Sequence, residues 1–164
     1  MAEKLIISTL EPVEVGDTFP SLPLHVTLMP WFKIEGTNNL RGLNRYLALI
    51  ASKRSQLELT GKNLDKFGPK RDVDVRVLED TKKLRKLHGD LVAVVGWSEG
   101  TCESPYIRGN YAPHVSFVNG VSLDEGELVK ADALQLIDRD LVTHERTVEK
   151  VFPLGIPFDP NAKY

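Results

Sequence analysis

Two stretches with helical periodicity stand among a larger number of strand-like stretches, and their order restricts the folds open to this chain. In residues 38–54 and again in residues 80–95, apolar side chains recur every three or four positions, as on the buried face of an amphipathic helix. Most other apolar segments are short, and several alternate with polar residues, which is typical of strands. Strands therefore outnumber helices and do not alternate with them one for one. This order favours an α+β fold with largely antiparallel sheet over a doubly wound parallel sheet.

The same patterns set the expected boundaries. Thr37 or Asn38 is the expected N-cap of the first helix, because short polar side chains can accept a hydrogen bond from the first turn. Two segments rich in proline and glycine, 10–23 and 96–112, are expected to be loops, and the length of the second is typical of a functional loop. The expected strands are 4–9, 24–34, 56–60, 72–78, 114–118, 130–138 and 142–152, with the last turn at Arg139 and Asp140.

Composition excludes several classes of function. The 164 residues include 21 Lys and Arg against 23 Asp and Glu, whereas a dedicated duplex-DNA binder carries an excess of cations. The single cysteine, Cys102, excludes an internal disulfide and a cysteine-rich zinc site. The apolar runs are far shorter than the roughly 20 residues of a membrane helix, and the N-terminal one is too short for a signal peptide. A cytoplasmic protein without a membrane partner is expected, and its oligomeric state stays open.

Two tetrads share one pattern of histidine, apolar residue, hydroxyl residue and apolar residue. They are His25-Val26-Thr27-Leu28 and His114-Val115-Ser116-Phe117. Both lie on predicted strands, in which successive side chains point to opposite faces. His25 and Thr27 therefore share one face of their strand, and His114 and Ser116 share one face of theirs, with about 6–7 Å of rise between the members of each pair. The apolar residues of both tetrads point the other way, into expected packing.

These residue types suit chemistry on a phosphate. An imidazole has an ordinary pKa of about 6.5, which suits proton transfer near neutrality, and a hydroxyl can donate a hydrogen bond to a phosphate oxygen. If the two pairs face each other, a neutral imidazole can take a proton from an attacking water. The second imidazole, as imidazolium, can give a proton to the departing oxygen. No metal is required, and the tetrads do not show which histidine is the acid.

The paired tetrads resemble those of the 2H phosphoesterase superfamily, which includes 2'-5' RNA ligase-like proteins and 2',3'-cyclic nucleotide phosphodiesterases. Tyr111-Ala112-Pro113, before the second tetrad, is similar to the lead-in of the family's second motif. The resemblance implies that residues 1–164 form a single bilobal domain. Its two pseudo-symmetric lobes would be largely antiparallel sheet with helices outside, and each lobe would give one tetrad to a central cleft.

The resemblance also implies an activity. It indicates a metal-independent phosphoesterase, needing no cofactor, that acts on a nucleotide or short oligonucleotide phosphodiester. A 2',3'-cyclic phosphate, a 2'-5' linkage, an RNA end and a cyclic oligonucleotide signal are all substrates that the family's site serves, by hydrolysis or by ligation. The catalytic residues implied by the matched motifs are His25, His114, Thr27 and Ser116.

Four further residues are candidates for binding the substrate. Arg108 can hold a phosphate with two parallel hydrogen bonds, and Tyr106 or Tyr111 in the same loop can stack on a base. Trp31 follows the first tetrad and can form a stacking wall. The competing interpretation is an ordinary solvated arginine with aromatics that cover the core.

Two other interpretations of the tetrads stay open. A non-catalytic nucleotide-binding or RNA-binding module can keep the cleft without its chemistry, although binding alone does not need both histidines and both hydroxyls. An interaction protein in which the tetrads are accidental would place the two histidines far apart. His88 and His144 have no hydroxyl residue two positions later, so structural or surface roles are expected for both.

Overall fold

Residues 3–164, the part of the chain that the computed structural model describes, contain nine strands, two α-helices and one 3-10 turn at Arg108–Asn110. The strands form one sheet, and every pairing is antiparallel. This confirms the predicted α+β class. The strands are β1 (Glu3–Thr9), β2 (Thr18–Phe19), β3 (His25–Lys33), β4 (Leu57–Phe67), β5 (Val73–Leu78), β6 (His114–Ser116), β7 (Leu128–Ala131), β8 (Ala133–Arg139) and β9 (Arg146–Pro153). The helices are α1 (Thr37–Ser52) and α2 (Lys82–Trp97).

The strand order places the two tetrads at the centre of the sheet. The order is β2-β9-β8-β1-β3-β6-β5-β4-β7, so β3 and β6, which begin at His25 and His114, are neighbours. Strands from both ends of the chain form the half that contains β3, and strands from its middle form the half that contains β6. Each half therefore contributes one tetrad strand to the junction between them.

Both helices pack on the same face of the sheet. Leucines from α1 and α2 meet apolar residues of both halves of the sheet in one continuous core. Tetrad residues Val26, Leu28 and Val115 belong to this core and are fully buried. The predicted alternation is thus observed for these three residues, and the histidines and hydroxyls point to the face without helices. The prediction for Phe117 does not hold in the same way, since Phe117 lies beyond the end of β6 and is only half-buried.

A smaller apolar cluster lies outside the main core. It is formed by residues of β1, β8 and β9 together with Leu22, and by partly buried residues that include Val13, Phe19 and Trp31. Alternation along β1 separates the two clusters, since Ile6 belongs to the main core while Leu5 and Ile7 belong to the smaller one. The segment between β1 and β3 thus packs against the face that also bears the histidine of β3.

The two helices begin in different ways. The Thr81 hydroxyl accepts a hydrogen bond of 3.2 Å from the Leu84 N–H and caps α2. The helix α1 instead begins after Gly36, whose φ of 88° suits glycine, and no side chain caps it. The predicted cap at Thr37 or Asn38 is therefore wrong, because the turn at Gly36 places Thr37 inside the helix.

Several strand boundaries also differ from the prediction. The segment predicted as one strand over 130–138 is two strands, since β7 pairs with β4 and β8 pairs with β1. β4 continues to Phe67, well beyond the predicted 56–60, because backbone pairing with β5 extends the hairpin past the apolar alternation. β2 lies within the predicted loop 10–23, and β9 begins at Arg146 rather than 142. Among residues 3–164, neither helix combines the length and the hydropathy that a membrane crossing requires.

Candidate active site

The junction of β3 and β6 brings the two tetrads together. Val26 pairs with Val115 in an antiparallel ladder. Continuing this register by one residue in each direction sets His25 opposite Ser116 and Thr27 opposite His114. Side chains directly opposite in such a ladder have Cβ atoms about 4.5–5.5 Å apart. Each imidazole therefore lies across from the hydroxyl residue of the other tetrad, and the four form one compact group on the face away from the helices.

Both histidines are oriented by the same local hydrogen bond. The Nδ1–H of His25 donates to the Pro23 carbonyl at 2.8 Å, and the Nδ1–H of His114 donates to the Ala112 carbonyl at 2.8 Å. A carbonyl can only accept, so the proton of each neutral ring lies on Nδ1. Each Nε2 is then left with its lone pair, and neither has a partner among residues 3–164. The two half-sites thus present equivalent proton acceptors.

Burial and proximity both act on the charge of this pair. Burial lowers the pKa of His25 below its ordinary value of 6.5, and the positive charge that His114 carries when protonated lowers it further. Burial likewise lowers the pKa of His114, while the carbonyl bonds partly oppose the shift at both rings. The pairing of β3 with β6 brings both imidazoles into one group, so each can act on the charge of the other. The alternative in which accidental tetrads lie far apart is excluded.

The two hydroxyls are available to a ligand. Thr27 and Ser116 are both half-buried, and neither hydroxyl makes a hydrogen bond within residues 3–164. Two hydroxyl donors and two unpaired imidazole nitrogens converge here. This arrangement can hold the oxygens of one phosphate and exchange protons with two of its neighbours.

Phe67 is a member of this neighbourhood that the sequence pattern did not reveal. Its ring meets the ring of His114 edge-on, with ring centroids 4.6 Å apart and an angle of 72° between the planes. Phe67 lies at the far end of β4, 47 positions before His114, and reaches it only because β5 pairs with both β4 and β6. No spacing in the sequence signals this contact.

A buried polar pair supports the opposite side of the site. Thr9 pairs with His25 across β1 and β3. The Thr9 N–H donates to Oε1 of Gln135 at 2.9 Å, and Nε2 of Gln135 donates to Oγ1 of Thr9 at 3.1 Å. Because both side chains are buried and these groups are paired, the end of β1 beside His25 is held in one arrangement.

The residues expected in the loop before the second tetrad have different surroundings. Tyr106 is 57% exposed and Arg108 is exposed, so both are open to a ligand. Tyr111 is only 5% exposed, and its hydroxyl donates to the Thr27 carbonyl at 2.9 Å. The expectation that Tyr111 stacks on a base is therefore corrected, because its ring packs inside the protein.

Trp31 also lies away from the tetrads. It is four residues beyond Thr27 on β3, which corresponds to about 13 Å of strand. The guanidinium of Arg139 covers one face of its ring at 4.2 Å from the centroid. Trp31 and Arg139 line a separate cavity of about 180 Å³. The expectation of a stacking wall next to the first tetrad is corrected accordingly.

Comparison with known proteins identifies the family. The family model of the 2'-5' RNA ligase superfamily matches residues 3–152. No curated protein matches the chain. Among solved structures, one described as a phosphoesterase is 15% identical and superposes with a TM-score of 0.64, covering 95% of this chain and 100% of the other.

Two further structures show the same fold. LigT of E. coli, solved with 3'-AMP, is 14% identical with a TM-score of 0.63, and 94% of this chain covers 98% of LigT. TT0787 of Thermus thermophilus is 16% identical with a TM-score of 0.62, and 93% of this chain covers 98% of it. The family model spans nearly the whole chain and includes both tetrads. The chain therefore belongs to the 2'-5' RNA ligase superfamily of 2H phosphoesterases.

Proposed function

We propose that this protein is a metal-independent phosphoesterase that opens a nucleotide or short oligonucleotide phosphodiester, with residues 1–164 acting as one bilobal domain. The observation that carries the proposal is the crossed register, in which His25 faces Ser116 and Thr27 faces His114. This register supports a reaction in which the two imidazoles act on one phosphate from opposite sides. Membership of the family and the nucleotide complexes of LigT with 3'-AMP, ATP and NADP+ support a nucleotide substrate.

The proposed reaction uses each group once. One neutral imidazole accepts a proton at Nε2 from a water molecule, whose oxygen then bonds to phosphorus. The bond from phosphorus to the departing ribose oxygen breaks, and the second imidazole, protonated beforehand, donates the proton from its Nε2 to that oxygen. The hydroxyls of Thr27 and Ser116 donate hydrogen bonds to the non-bridging oxygens as negative charge builds on them. The exposed Arg108 and Tyr106 are proposed to contact the phosphate and the base of the bound substrate.

The sharpest test of this function is product identification. The purified protein is incubated with 2',3'-cyclic, 3',5'-cyclic and 2'-5'-linked nucleotides, with and without EDTA, and the products are identified by mass. We expect turnover of a 2',3'-cyclic or 2'-5'-linked member, equal in both conditions. Binding without turnover across the panel would favour the non-catalytic nucleotide-binding or RNA-binding module instead. A strict requirement for added divalent metal would contradict the two-histidine mechanism.

The pH dependence follows from the lowered pKa values. Catalysis needs one histidine neutral and the other protonated, so the activity falls on both sides of an optimum. In the free protein the pKa values of both His25 and His114 lie below 6.5, and the proton-donating form is lost as the pH rises through the higher of the two. We therefore expect the optimum of kcat/KM to lie on the acid side of 6.5.

The bound substrate should shift this profile. A phosphate anion between the imidazoles favours their charged forms, so the profile of kcat should lie at higher pH than that of kcat/KM. Initial rates at saturating and at low substrate, measured across roughly pH 4.5–8.5, separate the two profiles, because this range extends about 2 units on either side of the ordinary histidine pKa. A kcat/KM optimum above about 7.5, a full unit beyond that pKa, would contradict the assignment.

A further inference from the structure

A third histidine, His88, links the first tetrad strand to the loop that leads to the second tetrad. His88 lies in α2 and is 2% exposed. Its Nδ1–H donates to the Leu28 carbonyl at 2.7 Å, and its Nε2 accepts a hydrogen bond from the Arg108 N–H at 2.8 Å. Both ring nitrogens are therefore used, one as donor and one as acceptor, which requires the neutral ring. Of the structural and surface roles expected for His88, only a structural role in the interior fits a side chain that is so deeply buried.

The contacts of His88 converge on the tetrad strand β3. The ring of Tyr111 stacks on the ring of His88 with centroids 4.0 Å apart and planes at 5°, and its hydroxyl donates to the Thr27 carbonyl. Two consecutive carbonyls of β3, those of Thr27 and Leu28, are thus bound by α2 and by the loop that leads to the second tetrad. β6 begins at His114, which the register sets opposite Thr27, so β6 does not itself reach Leu28.

His88 binds the backbone of Arg108 at a turn with an uncommon conformation. Arg108 has a φ of 57°, in the left-handed region that is uncommon for a residue with a side chain. Its carbonyl accepts hydrogen bonds from the Tyr111 N–H at 3.0 Å and from Nη1 of Arg85 at 3.3 Å. The side chain of Arg108 is exposed and makes no ion pair among residues 3–164. The Arg108 backbone is therefore held by several hydrogen bonds, while its guanidinium points to no protein partner in that part of the chain.

We propose that His88 is a positioning residue which, by accepting the Arg108 N–H, holds the left-handed turn that presents the Arg108 guanidinium to the substrate phosphate. The proposal rests on the proposed function, because it assigns Arg108 to the same phosphate site. His88 itself does not touch the substrate. Its effect is on binding, through the placement of Arg108, and not on proton transfer at His25 or His114.

Two substitutions separate the two hydrogen bonds of His88. In His88→Gln, the side-chain amide reaches the position of Nε2, where its oxygen can still accept the Arg108 N–H. In His88→Asn, the shorter amide reaches only the position of Nδ1 and leaves the Arg108 N–H unpaired. We expect His88→Asn to raise KM about tenfold, because the displaced Arg108 guanidinium loses about one charged hydrogen bond to the substrate phosphate. The value of kcat should stay within about twofold of the wild type. His88→Gln should keep KM within about threefold of the wild type, since the same bond can be kept.

A double-mutant cycle tests whether the effect passes through Arg108. If it does, adding His88→Asn to Arg108→Ala should raise KM no further than Arg108→Ala alone. Equal changes in His88→Asn and His88→Gln, a loss confined to kcat, or fully additive effects in the cycle would each overturn the proposal by showing a general structural role.

Amide exchange provides a readout that needs no activity and no variant. In the wild-type protein the Arg108 amide should be protected relative to that of Gly109, whose N–H makes no hydrogen bond within residues 3–164. Equal protection of the two amides would refute the contact, even if His88→Asn failed to fold. A wild-type protein that turns over no member of the nucleotide panel is a different result. It would remove the proposed function, and with it the role of Arg108, whatever the exchange shows.

Discussion

Replacing either His25 or His114 with alanine should lower kcat by about 10²–10⁴, the usual contribution of a general acid or base. Each imidazole donates its Nδ1–H to a carbonyl two residues earlier, and its Nε2 has no partner in residues 3–164. Alanine removes the group that carries the proton and leaves the strand intact. The two variants should lose similar amounts of activity, because the proposed reaction needs both proton transfers in each turnover.

The control for these variants is His144→Ala. His144 is exposed and lies in the turn between β8 and β9, so its replacement is expected to leave kcat unchanged. The double variant His25→Ala, His114→Ala should be little worse than either single one, since groups that act as a unit are strongly non-additive. The kcat values of the four variants and the wild type are compared by steady-state kinetics on the substrate that the nucleotide panel identifies. Activity that survives in both single variants would show that the tetrads do not carry the reaction.

The second large effect is on stability. Leu28 is fully buried in the main core and anchors the tetrad strand from the side opposite Thr27. Leu28→Ala should reduce the free energy of unfolding by about 2–5 kcal/mol. The leucine's apolar contacts are lost, and a cavity remains between the sheet and the helices. The midpoint of urea denaturation, at an unchanged slope, measures this loss.

The matched control is Leu64→Ala, the same substitution at an exposed position. Leu64 lies on β4 and is 61% exposed. Leu64→Ala should change the free energy of unfolding by about 0.5 kcal/mol or less, as most exposed substitutions do. Losses of similar size at the two positions would contradict the assignment of Leu28 to the core.

Local patterns predicted the elements that depend on local physics. The helical repeat of leucines located α1 and α2 to within a few residues, because one buried helix face demands that spacing. The boundaries failed where the extent of a strand depends on hydrogen bonds to a partner strand, which the pattern of side chains does not show. β4 runs on to Phe67 only because β5 supplies hydrogen bonds there, and the break between β7 and β8 marks a change of partner strand.

The predictions for the site also succeeded where they depended on local backbone geometry and failed where they depended on packing. Alternation within each tetrad put Thr27 with His25 and Ser116 with His114, and both pairs are found on the face without helices. The predictions for the aromatic residues Tyr111 and Trp31 were wrong, because the burial of a side chain depends on neighbours that are distant in sequence. Tyr111 packs on His88, and Trp31 is covered by Arg139, so neither is the open stacking surface that its position suggested.

The sequence by itself determined which groups this protein offers to a phosphate and which side of its own strand each occupies, because a strand's period of two is a local property of the backbone. Only the tertiary structure decided that the two tetrads meet, with each imidazole across from the other tetrad's hydroxyl. That outcome depends on the pairing of Val26 with Val115, 89 positions away. It is produced by the whole sheet order and by the core that holds it, and no short stretch of chain encodes it.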